Sequence, residues 1–433
     1  MTLDRVDLSQ DQMPRNWYNI LPDLPEPMPT FKEPVDGPPS IENLKNLFTK
    51  AALDLEFSDK RWIKIPQEVL ELYLRTGRPR PLYRARRLEK YLKTSARIYY
   101  KREDLAPTGS FKMNTTIPQT YYALKEGYRE ISVYTGAGQT GTAAAYAAAL
   151  LDIKCTIFWV RHAYNLKPDR ITYNKMLGAN VIESPSNKTE TGRSYYRRDP
   201  NHPGNLVLAT AESFEYALKK DDAIATWGSR MNHVIIHQSI IGLETKKQLE
   251  LIDERPDVLI SCVGGGSNFS GLTFPFIKDH LNKKLEGVRF LGVESEVAPK
   301  LTRGTYRYDF AESSKMTPMM KMYTMGVDTP LPTIRAEGIR TNSISPALSL
   351  LRSEGIIEAV SYPADEVAVF EAAKTFLEVE GVLVAPETSY AVRAAMDQAI
   401  EARRKKEEKV IVVNLSGSGY LDLKAYGEVL KDL

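Results

Sequence analysis

The chain has 433 residues, 42% of them hydrophobic and 26% charged, an ordinary globular composition long enough for two packed domains with a cleft between them. Its 58 basic and 55 acidic residues leave a net charge of +3 and are well mixed, which excludes an electrostatic footprint for nucleic acid or for an anionic membrane. Two cysteines, Cys155 and Cys262, each inside an apolar run, exclude a disulfide framework. No run of roughly 18 apolar residues is present to cross a bilayer, and Met1-Thr2-Leu3-Asp4-Arg5 carries no apolar signal core, so the expected location is cytoplasmic.

Through about Gly77 the chain carries Pro22, Pro25, Pro27, Pro29, Pro34, Pro38 and Pro39, which rules out long regular elements and predicts a segment that wraps over a surface. Residues 1–95 are read as this extension and its flank. Helical patterns begin near Ile41 and again over 66–74, where Pro66 suits a first helical turn. The basic stretches around Arg78, Arg80 and Arg84 to Arg87 read as solvated surface.

From Ala96 onward short β-rich runs alternate with longer helical ones, the sign of parallel strands joined by crossover helices, so the class is α/β. Strands are expected at 97–100, 131–134, 155–160, 180–182, 258–263, 289–293 and 410–414, with an alanine-rich helix over 142–151 suited to close packing on a sheet. Two open α/β domains are expected, 96–236 and 237–433. His233 and His237 stand four apart on a helix without a third ligand, and packed side chains rather than a metal site are expected there.

Four junctions carry chemistry. The first expected strand runs into Thr108-Gly109-Ser110-Phe111-Lys112-Met113-Asn114, which sets a lysine among small and hydroxyl residues at a helix start, where its pKa can fall and its amine can condense with a carbonyl. Tyr134-Thr135-Gly136-Ala137-Gly138-Gln139 is a strand–glycine–helix junction whose free amides suit a carboxylate. The run 258–263 opens into Gly264-Gly265-Gly266-Ser267-Asn268 and a helix; converging amides and the helix dipole make it a phosphate cradle, with neither GxGxxG nor P-loop spacing. The last strand leads into Ser416-Gly417-Ser418-Gly419, where a serine hydroxyl can bond a neutral ring nitrogen. Each junction alone is weak. Together they specify a ligand with a phosphate, an aldehyde and a ring nitrogen, plus a carboxylate-bearing substrate: pyridoxal phosphate with an amino acid.

On these motifs, together with Gly77-Arg78-Pro79-Arg80-Pro81-Leu82-Tyr83 and Ala385-Pro386-Glu387, the chain resembles the tryptophan synthase β chains, in their longer second class, over residues 77 to 423. The resemblance implies the fold-type-II pyridoxal-phosphate architecture with cofactor between two domains, usually as a homodimer, and synthesis of tryptophan from indole and serine or O-phosphoserine. It implies Lys112 as the Schiff-base lysine, with Asn114, Gly264, Gly265, Gly266, Ser267, Asn268, Glu387 and Ser416 around the cofactor. Thr135, Gly136, Ala137, Gly138 and Gln139 would grip the substrate carboxylate. An α chain is a further expected partner. Monovalent cation binding by backbone carbonyls is common in the family and leaves no side-chain signature.

The chain departs from the pattern where the family has glutamate before the Thr-Gly-Ala-Gly-Gln loop, the acid and base of the reaction. Here that residue is Tyr134, whose phenol is a poor base at neutral pH. Phe111 stands for the family's histidine and Thr140 for its aromatic or histidine. Glu337, where the family has glycine in a loop facing the cofactor, is the expected replacement catalyst, and Arg340, where the shorter class has an acid, could hold a phosphate bidentately. The alternatives are a serine or threonine deaminase-type lyase, which shares fold and lysine, and a cofactor-binding paralogue with altered catalysis.

Overall fold

The computed structural model describes residues 4–34 and 40–430; Met1 to Leu3, and Pro38 and Pro39 of the proline-rich stretch, lie outside them. Two sheets organise the chain. The larger has seven strands in the order Arg5–Val6, Leu82–Arg84, Arg97–Lys101, Val410–Asn414, Val258–Cys262, Arg289–Ser295, Ile357–Tyr362. Its first two strands join antiparallel, and the other five run parallel. The smaller sheet is all parallel, in the order Asn180–Ser184, Lys154–Val160, Glu130–Thr135, Ala223–Ala225.

Strand side chains alternate between faces, and in the large sheet both faces are covered, as parallel sheets require. Leu259, Phe290 and Val412 enter one apolar cluster, while Val258, Ile260, Leu291, Ile411 and Val413 enter another on the opposite side. The small sheet has its own core, in which the alanine-rich helix Gln139–Leu151 packs Ala144, Ala145 and Ala148 against Ile131, Val133 and Ile157. No helix among the described residues is long and apolar enough to cross a membrane.

The seven expected strands are present, but the expected division at residue 96 does not follow the sheets. Arg97–Lys101 pairs with Val410–Asn414, in register from Arg97 opposite Val410 to Lys101 opposite Asn414. It belongs to the larger sheet with the C-terminal strands. The smaller sheet is therefore inserted between two parts of the larger one, and the two elements that follow those paired strands start side by side: Ser110 bridges Gly417, and Phe111 N–H donates to Ser416 O at 3.0 Å.

Arg78 and Arg80 are not solvated, as the sequence suggested. Both are buried because partners from other elements meet them: Arg78 donates to Glu103 at 2.6 Å and to Glu244 at 2.8 Å, Lys101 is a second cation on Glu244 at 2.7 Å, and Arg80 donates its guanidinium to the Thr76 and Gly77 carbonyls with Glu103 at 3.8 Å. A buried charge survives only when paired and hydrogen-bonded, so this network ties the N-terminal segment beneath the lysine helix.

Candidate active site

Five chain segments that are far apart in sequence line one cavity between the sheets: Phe111 and Lys112; Tyr134 to Ala137 with Gln139 and Thr140; Cys262 with Gly264 to Asn268; Glu387; and Ser416. Lys112 stands at the N-terminus of the Met113–Lys125 helix, and its Nζ donates to Gly228 O at 2.9 Å. Burial pushes its pKa down to about 8, against a weak opposing pull from Cys262 and Glu387. A primary amine so tuned is partly neutral near pH 7–8, which nucleophilic attack on a carbonyl requires.

The glycine cradle follows the Val258–Cys262 strand and leads into the Ser267–Leu281 helix. Its glycines are steric necessities: a Cβ on Gly265 would stand 2.1 Å from Ser229 Oγ, and one on Gly264 would stand 2.4 Å from the Gly338 carbonyl oxygen. Gly266 has φ +107°, a left-handed conformation side chains resist. The first-turn amides of the helix have no intrahelical acceptor and face an anion site with the positive end of the dipole. Asn268 turns its amide back onto Cys262 O at 3.0 Å and accepts from Asn414 at 2.6 Å, locking the loop to two strands.

The second junction is held from behind. Trp159 Nε1 donates to Gly136 O at 2.8 Å and Lys167 Nζ to Ala137 O at 3.0 Å. In a trans peptide C=O and N–H point opposite ways, so pinning these carbonyls outward turns the N–H groups of Ala137 and Gly138 the other way. The Gly138 N–H then bonds Thr135 Oγ1 at 3.1 Å. Gln139 donates to Glu387 at 3.2 Å, and the other Glu387 oxygen takes the Gly338 N–H at 2.9 Å. Ser416 Oγ lies 2.8 Å from Thr388 Oγ1 and 3.5 Å from Cys262 Sγ, a hydroxyl pair at the end of the cavity formed by the last strand.

Glu337 also lines the cavity, on a short 3-10 turn. Burial raises its carboxyl above the ordinary range, while Arg340 beside it pulls the other way. Arg340 Nε lies 2.6 and 2.8 Å from the two oxygens. Tyr134 lines the cavity too, with its hydroxyl accepting the Gly228 N–H at 3.1 Å and its ring edge-on to Phe214 and Trp227. Burial lifts its phenol pKa further above 10.

Two expected site residues lie elsewhere. Asn114 is two residues past Lys112, about 200° round a helix and so on the opposite face. Its amide is spent on Arg78, Glu103 and Gln238. Arg340 does not line the cavity, since its guanidinium is turned to Glu337, Leu331 O and Gly204 O. His233 and His237 pack against Glu56 and Thr115. Sequence reasoning missed Gly228, which bonds both Lys112 and Tyr134, and Ser229, against which Gly265 closes. Their only available signal was a Gly-Ser pair after the three-residue strand Ala223–Ala225.

The donors fit a phosphate-bearing aldehyde: a cradle that any Cβ would fill, a depressed amine and a hydroxyl pair share one space. Residues 73–417 match the family described as pyridoxal-phosphate dependent enzyme. The chain is 48% identical over 429 residues to the tryptophan synthase beta chain 2 of Methanothermobacter thermautotrophicus, covering 99% of both chains. It is also 48% identical over 425 residues to the tryptophan synthase beta chain of Pyrococcus horikoshii, covering 98% of this chain and 92% of the other. Among solved structures, a fungal L-serine ammonia-lyase from Rhizomucor miehei superposes with a TM-score of 0.60 at 19% identity, over 82% of this chain and 98% of that one. At that identity the likeness bears on the fold alone.

Proposed function

Because the chain belongs to the tryptophan synthase β chains of the pyridoxal-phosphate dependent enzymes, we propose that it joins indole to the β-carbon of L-serine or O-phospho-L-serine to make L-tryptophan. The observation that carries the site assignment is the meeting of Lys112, the Gly264–Gly266 cradle, the Thr135–Gln139 loop and Ser416 in one cavity.

Pyridoxal phosphate, when bound, supplies an electron sink that lets the donor amino acid lose its β-substituent. The chain's own groups do the rest. Lys112 would hold the cofactor's aldehyde carbon and, once the donor's amine has taken its place there and left it a neutral amine, would take the proton from the donor's Cα. Gly264 to Asn268 would offer amides to the phosphate, and the Ser416 hydroxyl, oriented by Thr388, would bond the ring nitrogen. The amides of Gly136, Ala137 and Gln139 would bind the donor's carboxylate, while that of Gly138 stays on Thr135 Oγ1. Glu337, its carboxyl raised by burial, gives a proton to the leaving oxygen and then accepts one from the indole nitrogen. Giving up that proton leaves the carboxylate ionised, and Arg340, bonded to both of its oxygens, stabilises that charge until the indole proton arrives.

The same kinship supports a cytoplasmic homodimer to which an α chain docks, which sedimentation of the protein alone and with an α chain would read. Turnover with indole and each donor in separate assays tests the activity. Tryptophan should form with at least one of them. Release of ammonia and a keto acid with no tryptophan would replace this reading with a deaminase.

A further inference from the structure

Lys300 lies in the turn that follows the Arg289–Ser295 strand, and no part of its side chain reaches solvent. Its Nζ donates to three backbone carbonyls, Val263 at 2.8 Å, Ala298 at 3.1 Å and Ile339 at 3.3 Å. One carboxylate is near, Glu294 at 3.4 Å, which is itself buried and saturated by Leu301 N–H, Thr302 N–H and the Thr302 hydroxyl. Three acceptors call for three N–H donors. An ammonium has three and a neutral amine two, so the geometry selects the charged form even though burial alone presses the pKa of Lys300 down.

The acceptors matter by their place. Val263 is the residue before the glycine cradle, and Ile339 closes the turn that carries Glu337. These two loops also touch directly, since Gly264 packs on the Gly338 carbonyl. A point charge at their junction gathers carbonyl dipoles that would otherwise repel one another. Rings of backbone carbonyls are the surroundings in which proteins hold a dehydrated monovalent cation, and here Nζ already takes the bonds such an ion would make.

We propose that the Lys300 ammonium is a built-in monovalent cation, holding the phosphate cradle and the Glu337 turn in register so that the protein needs no added K+, Na+ or NH4+. The carbonyls at this junction therefore do not fit a separate ion, contrary to the allowance made from the sequence. Lys300 is a positioning residue and touches neither substrate nor cofactor.

The test compares the wild type with Lys300→Ala and Lys300→Met after exchange into a tetramethylammonium buffer, whose cation is too large for a carbonyl cage. NaCl, KCl and NH4Cl are then added separately. Tryptophan formation and the thermal midpoint of the cofactor-free protein are both read. The wild type should vary by less than about twofold in rate, with an unchanged midpoint. Lys300→Ala, which leaves a hole ringed by orphaned carbonyls, should lose about tenfold or more in tetramethylammonium. NH4+ or K+ should restore most of that rate and raise the midpoint by several degrees, as a ligand specific to the folded state does. Lys300→Met, which fills the hole with methylenes, should stay low in every salt. A wild type that fails in tetramethylammonium and recovers with K+ overturns the proposal, and that arm decides it even if neither variant folds. A folded Lys300→Ala protein that ignores all cations also overturns it.

Discussion

The two glycine junctions on either side of the cavity look alike and are held differently. Each runs from a buried parallel strand through a left-handed glycine, Gly266 at φ +107° or Gly138 at φ +98°, into a helix. The cradle at Gly264 to Gly266 is closed by contacts too tight for any side chain and by one buried ammonium. The loop at Gly136 to Gly138 is as tight at one point, where a Cβ on Gly138 would stand 2.3 Å from the Trp159 ring, but its carbonyls are held by long side chains, Trp159 and Lys167, that reach it from its own sheet and the helices beyond. Contacts with no slack fix a ligand present through the whole reaction. Where side-chain tethers do the holding, at the Gly136 and Ala137 carbonyls, the loop has more room to adjust as substrates enter and leave.

The largest effect should come from breaking the rigid side. Gly265→Val puts a branched side chain where a single Cβ would already lie 2.1 Å from Ser229 Oγ, so the backbone must withdraw from the phosphate. Cofactor affinity should fall by about 100-fold or more, roughly the worth of two charge-assisted hydrogen bonds, as read by titrating the cofactor-free protein by absorbance. Unchanged affinity would remove the cradle assignment.

Next in size is Glu337→Gln, which keeps shape but removes the titrating group. Turnover should drop about 10²-fold while cofactor affinity holds. Because its carboxyl is raised above the ordinary range, the acid form is the one lost as pH rises. The wild type should therefore lose donor kcat/KM as pH climbs through that raised value, and the glutamine variant should lack the limb. A variant near full rate would make Glu337 a structural partner of Arg340.

The flexible side should yield a smaller and differently placed loss. Lys167→Met frees the Ala137 carbonyl and leaves Asp422, which Lys167 meets at 2.7 Å, with Arg170 alone. The carboxylate loop should loosen, raising donor KM about tenfold with turnover changed far less. A fall in cofactor affinity instead would mean that the two junctions are one rigid unit and that the contrast drawn here is false.

What the sequence disclosed follows the same contrast. Strand runs such as 258–263 and 410–414 are continuous apolar stretches because both faces of the large sheet are covered, and glycine strings mark places where backbone must come close. Ser416 could be read because it is adjacent to such a string, and Lys112 because it follows the short Thr108-Gly109-Ser110 run at a helix start. The tethers could not. Lys167, Lys300 and Gly228 act across separations of 30 to 116 residues, and an isolated lysine in a turn carries no local pattern. Parallel pairing hid the domain division in the same way, since Arg97–Lys101 finds its neighbour more than 300 residues later. Asn114 misled by its nearness in sequence to Lys112, which on a helix places it on the far face.

The smallest expected effect is at Tyr134, which stands where the family resemblance sets the acid and base of the reaction. Its hydroxyl accepts the Gly228 N–H, and its ring fills the space between Phe214 and Trp227. With a pKa lifted above 10 by burial, it is almost wholly protonated at neutral pH and cannot take a proton from indole. Tyr134→Phe keeps the ring and leaves one buried N–H without its acceptor, a cost of about 1–3 kcal/mol in stability, or a few degrees of thermal midpoint in a chain of this size. Lys112 bonds the carbonyl of Gly228 rather than its N–H, so the amine keeps its partner and turnover should change by less than about threefold. If the phenylalanine variant is inactive while Glu337→Gln turns over normally, the phenol carries the protons despite its pKa, and the acid–base role sits at the position the resemblance gives it with a new side chain.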